Sequence, residues 1–99
     1  MATHDQTCSF LRIYNNSLAV VQFIAQGPNG EIARSGNVTI GERWDFRVRD
    51  HSGIPITIKA NVKGGKNPQT FQVNSNNDTN YDYLVELTGT LFKTSFYAL

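Results

Sequence analysis

Between Ile54 and Lys63 the chain alternates without a break. Ile54, Ile56, Ile58, Ala60 and Val62 occupy one parity, and Pro55, Thr57, Lys59, Asn61 and Lys63 the other. A two-residue period places successive side chains on opposite faces of an extended strand, so the segment predicts a strand with one face in a core and one in water. Pro55 has no amide to donate and belongs at the start of that strand or on an unpaired side. Arg43 to Arg49 repeats the pattern, with Trp44, Phe46 and Val48 on one side and Arg43, Asp45, Arg47 and Arg49 on the other. No stretch carries the three-and-four apolar spacing of an amphipathic helix.

The remaining chain divides by turn chemistry. Residues 1–7 read as a polar tail, and residues 8–99 as one β-sandwich domain. Ser9 to Tyr14 is a first strand, with Phe10, Arg12 and Tyr14 on one face and Leu11 and Ile13 on the other. Asn15-Asn16-Ser17 predicts a turn. Leu18 to Gln26, apolar on both faces and rich in β-branched residues, predicts a central strand. Gly27-Pro28-Asn29-Gly30 is the clearest hairpin signal, returning into a strand from Glu31 to about Ser35. Residues 36–41 form a connection that tucks in Val38 and Ile40. Asp50-His51-Ser52-Gly53 predicts a second reversal, and residues 64–68 a third. A strand over 70–73, a polar loop over 74–80 and strands over 81–88 and 91–97 complete the reading. Seven or eight short strands punctuated in this way predict an all-β, single-domain antiparallel β-sandwich, with a small barrel as the alternative.

Composition narrows the function. A net charge of +1 on 99 residues supplies no global field for nucleic acid, so no nucleic-acid partner is expected. The single cysteine, Cys8, cannot form an intramolecular disulfide and reads as a small buried hydrophobe. The first residues lack a basic segment followed by an apolar one, and no apolar run has bilayer-spanning length. The expected location is cytoplasmic, or outside the cell by export without a cleavable leader. Three glycosylation sequons, at Asn15, Asn37 and Asn77, compare with about 1.5 expected by chance from this asparagine and Ser/Thr content, so they decide little.

Catalytic signatures are missing from the sequence. Asp50-His51-Ser52 has the residue types of a hydrolytic triad, but consecutive residues cannot take up the relay geometry. There is no metal-ligand Cys/His spacing, no phosphate-binding glycine loop and no nucleophile elbow. The expectation is a binding protein and not an enzyme.

Two stretches could bind. Residues 74–83 are rich in asparagine, aspartate and tyrosine. Asn77, Asp78, Asn80 and Asp82 can pair with adjacent hydroxyls, and Tyr81 or Tyr83 can stack on a sugar face. Asp78-x-Asn80-x-Asp82 also has the spacing that opens a calcium loop. The continuation fails, because Tyr83 stands where glycine would turn the chain and Gly89 where the bidentate glutamate belongs. Calcium is therefore a weak candidate, and no cofactor is expected. The second stretch is basic: Arg47 and Arg49, with Lys59 and Lys63 beside them if the flanking strands pair through the 50–53 turn. Such a stripe could hold anions or lipid headgroups.

Three functions follow from these stretches. The leading one is lectin-like carbohydrate binding through the polar, aromatic loop, with a glycan or glycoconjugate as partner. The second is a membrane-surface-binding or pore-forming sandwich that meets anionic lipid with its basic face. The third is a structural or assembly module. Homo-oligomerisation is expected, since small binding proteins gain avidity that way.

Overall fold

The computed structural model describes residues 5–76 and 80–99. They form the predicted all-β sandwich. The strands are β1 (Gln6–Thr7), β2 (Phe10–Ser17), β3 (Val21–Gly27), β4 (Gly30–Arg34), β5 (Arg43–Phe46), β6 (Ile56–Val62), β7 (Phe71–Asn74), β8 (Asp82–Thr90) and β9 (Lys93–Ala98). A 3-10 turn, Val48–His51, follows β5. One sheet runs β1-β7-β6-β3-β4 and the other β5-β2-β8-β9. Most neighbours are antiparallel, but β1 lies parallel to β7 and β2 parallel to β8.

Alternation explains the core. Phe23, Ile56, Ile58, Phe71 and Val73 point inward from the first sheet, and Leu11, Ile13, Val85, Leu87 and Phe96 from the second. Burying each large apolar side chain contributes roughly 1.5–3 kcal/mol. Aromatic rings bridge the sheets: Phe71 meets Phe96 edge-on at 5.0 Å between centroids and Tyr83 at 6.2 Å. A second aromatic group is a stacked column, Phe23–Trp44–Phe46–His51, with centroid spacings of 6.1, 5.4 and 5.7 Å. Trp44 thus belongs to the core margin, and His51 closes the column.

The predicted 27–30 hairpin forms, with Gly27 opposite Gly30. Pro28 and Asn29 keep negative φ, and Gly30 alone takes the positive φ, 122°, that closes the turn. Cys8 is fully buried, as its residue type suggests.

Several local expectations are corrected. Asn15-Asn16-Ser17 is no turn but the end of β2. The Asn15 amide, fully buried, donates to the carbonyls of Ala19 and Val38 and accepts from the Ser17 amide and hydroxyl. One side chain therefore does the hydrogen bonding that a turn would otherwise supply, and the chain crosses between sheets only afterwards, over residues 18–20. Leu18 falls in that crossing and is exposed instead of joining a central strand. Ile40 is likewise exposed, whereas its neighbour Val38 is buried and bridges Val21. Residues 5–7 are not a free tail: β1 joins β7, and the Asp5 carboxylate accepts the Gln72 amide.

The largest correction concerns the 50–53 reversal. It joins no hairpin. β5 pairs with β2, whereas β6 lies between β3 and β7 in the opposite sheet. Val48, fully buried at the start of the 3-10 turn, draws the chain down between the layers and across. The inward and outward parity of residues 43–49 survives even though β5 itself ends at Phe46.

Candidate ligand-binding cleft

Ser9 is the residue at which the two predicted binding stretches meet. Its backbone N–H and hydroxyl both donate to the Tyr81 carbonyl, at 2.8 and 3.0 Å, and its hydroxyl accepts the Tyr81 amide at 3.2 Å. Its own carbonyl accepts the Arg49 amide at 3.0 Å. One buried serine therefore ties the asparagine-rich loop on one side to the arginine-bearing 3-10 turn on the other. Register continues the link, since Phe10 lies opposite Asp82 and Leu11 opposite Phe46.

The result is an open-sided cleft of about 270 Å³. Arg47, Arg49, Asn80 and Asp82 line it, together with Ser9, Phe10 and Arg12. Four of its seven lining residues are thus among those predicted from sequence. The arginines differ in their surroundings. Arg12 Nε lies 2.9 Å from Asp45 Oδ1, and its guanidinium sits 5.5 Å from the centre of the Phe10 ring. Hydrogen bonds to Asp45 and then Tyr14 raise the Arg12 pKa, so the group is a permanent cation. Arg47 Nε reaches Asp50 Oδ2 at 3.4 Å. Arg49 has no ion pair among the described residues, which makes it the guanidinium open to an incoming anion. Asn80 and Asp82 add amide and carboxylate groups on the opposite wall.

Cys8 lies next to this end of the sheet, with its N–H bonded to the Asn74 carbonyl at 2.8 Å. Burial pushes its thiol up to about 11, and the negative charge of Asp82 adds to the rise. It is a buried structural thiol and not a nucleophile of the cleft.

The other candidates lie elsewhere. Tyr81 is 48% exposed beside the cleft, its ring 6.3 Å from that of Tyr83. Tyr83 is only 3% exposed and packs into the core, so it offers no face to a ligand. That corrects its place in the predicted set: strand parity turns Asp82 and Leu84 outward and Tyr83 in. Lys59 lies on β6 in the other sheet and Lys63 just past its end, so the expected stripe with Arg47 and Arg49 does not assemble. Asn77 and Asp78 lie outside the described residues, and with Asp78 goes the first ligand of the calcium spacing. Among the described residues, no three His, Cys, Asp or Glu side chains gather in a metal-binding group.

Ser9, Phe10 and Arg12 were not identified from sequence. The shared parity of Phe10 and Arg12 was legible, but nothing in the chain showed which partner strands would bring Asp82 and Arg47 beside them. Among known proteins, the chain matches no family model, no curated protein and no solved structure.

Proposed function

We propose that the protein is a non-enzymatic, lectin-like binding protein whose cleft takes a saccharide unit bearing one carboxylate or sulfate. The observation that carries this reading is the convergence at Ser9 of Arg49, which has no carboxylate partner among the described residues, with Asn80 and Asp82. A guanidinium presents two parallel N–H donors that match a carboxylate or sulfate edge. An amide and a carboxylate facing it can divide a sugar's vicinal hydroxyls into donors and acceptors. The Phe10 ring supplies an apolar wall for a sugar's C–H face, and Arg12, held by Asp45, adds a second cation without needing to be ordered on binding.

Size supports a small occupant. At about 270 Å³ the cleft lies near the lower limit of ligand pockets. One sugar unit fits such a volume, and affinity for one unit is low, so the reading includes several copies binding together to gain avidity.

A glycan array probed with the purified protein tests it. The expected hits carry uronic acids, sialic acids or sulfated sugars, and neutral analogues do not compete. Arg49→Gln and Asp82→Asn each remove a charge-assisted contact and should weaken binding by roughly tenfold or more. Lys59→Gln, on the other sheet, should leave it unchanged. Hits restricted to neutral glycans, or hits indifferent to Arg49→Gln, would overturn the reading.

A further inference from the structure

The end of the sandwich opposite the cleft concentrates exposed apolar side chains and lysines. Leu18 is 73% exposed, Ile40 59% and Phe92 69%. Each projects from a different connection: the crossing after β2, the 38–42 loop and the β8–β9 turn. Backbone hydrogen bonds hold these segments together. The Leu18 amide donates to the Gly89 carbonyl at 3.0 Å, and the Gly41 amide to the Asn15 carbonyl at 2.7 Å. On the other sheet, the Lys63 amide donates to Val20 and the Lys66 amide to Leu91, both at 3.0 Å.

Three of the chain's four lysines, Lys63, Lys66 and Lys93, lie on these same segments. None has an ion pair among the described residues, and Glu42 on the 38–42 loop is engaged with the amide and hydroxyl of Thr39. We propose that this end docks on an anionic lipid bilayer, with Leu18, Ile40 and Phe92 entering the interface and the lysines meeting the headgroups.

The chemistry favours a bilayer over other occupants. Stable attachment to a membrane surface takes two weak signals, apolar insertion and a basic cluster, and both are present on one end. Lysine stems can lie along apolar neighbours while their ammonium groups reach outward. A second copy fits poorly, because a twofold contact through this end would set the same three lysines against themselves. Arginine suits fixed bidentate contacts, and Arg43, which follows the 38–42 loop, is paired with Asp45 at 3.7 Å, whereas lysine suits a fluid array of headgroups. This surface is separate from the cleft and does not depend on what the cleft binds.

Co-sedimentation of the full chain with vesicles tests the proposal, using phosphatidylcholine alone or mixed with phosphatidylserine, at low and high salt. Binding is expected only with phosphatidylserine present and should weaken as salt screens the charges. Replacing Lys63, Lys66 and Lys93 together with glutamine should lower vesicle affinity roughly a hundredfold. Leu18→Ser with Phe92→Ser should lower it by roughly tenfold. All five side chains replaced in these variants are at the surface, and an unchanged thermal melt shows that each still folds. Absence of binding to phosphatidylserine vesicles would overturn the proposal. So would full binding by the triple-lysine variant, a loss of binding through Arg47→Gln with Arg49→Gln instead, or a change in oligomeric state as the only effect of the lysine changes.

Discussion

The two ends of this sandwich carry the same sign of charge in different ways. At the cleft end the cations are arginines, and most are braced: Arg12 is held by the Asp45 carboxylate, and Arg47 is beside Asp50. At the other end they are lysines without carboxylate partners among the described residues, set among exposed leucine, isoleucine and phenylalanine. Bracing fixes direction and lowers the cost of ordering a side chain when a ligand arrives. Unbraced lysines keep their freedom, which suits a partner with no fixed geometry. The identity of the basic residue and its partner therefore says more about each end than the net charge of +1 does.

The comparison breaks most visibly at Asn15. Its side chain holds both the crossing that carries Leu18 and, through Val38, the loop that carries Ile40. Asn15→Ala takes one donor from each of the buried carbonyls of Ala19 and Val38 and removes the acceptor of the Ser17 amide and hydroxyl, and should cost about 2–4 kcal/mol, read from a urea titration. If the ends are independent, the variant loses vesicle binding under native conditions while saccharide binding persists.

A second test examines the buried thiol next to Ser9. Because the Cys8 thiol titrates near 11 when folded and near 9.0 when free, the folded state holds its proton more tightly. Its contribution to stability is complete below the lower value and is lost as pH rises through the higher one. The melting temperature should fall across that window, and Cys8→Ala should flatten the fall. Native protein should also resist iodoacetamide until it is unfolded.

The smallest effect expected is at Asp45. Its pair with Arg12 is partly exposed, so Asp45→Asn should change stability by no more than about 1 kcal/mol. Saccharide affinity should fall several-fold, because Arg12 loses its brace, and vesicle binding should stay constant. A larger loss of stability than of affinity would show that the bracing serves the fold instead of the cleft.

Much of the fold could be read from period-two alternation. Residues 43–49 and 54–63 kept their inner and outer faces, and the Gly27–Gly30 reversal formed where its residues placed it. Pairing could not be read in the same way. Asp50-His51-Ser52-Gly53 specifies a reversal of direction, and such chemistry is the same whether the next strand joins the same sheet or the opposite one. That ambiguity separated Lys59 and Lys63 from Arg47 and Arg49. Asn15 misled for a related reason: asparagine favours turns because its amide substitutes for backbone groups, and here it does so inside the core. The binding stretches were recognised by residue type, but their meeting at Ser9 depends on β2 lying parallel to β8, a long-range choice that leaves no local trace.

That parallel pairing also governs the order of assembly. β2 occupies the middle of its sheet, yet its neighbours come late: β5 begins at residue 43 and β8 at residue 82. Leu11 finds Tyr83 and Ile13 finds Val85 only after most of the chain is available. Contacts so distant in sequence close large loops before they gain any stabilisation, which places folding in the slow range for small domains, roughly milliseconds to seconds. Until β8 arrives, the early strand waits with an open edge, so the last fifth of the chain decides when the first fifth becomes native.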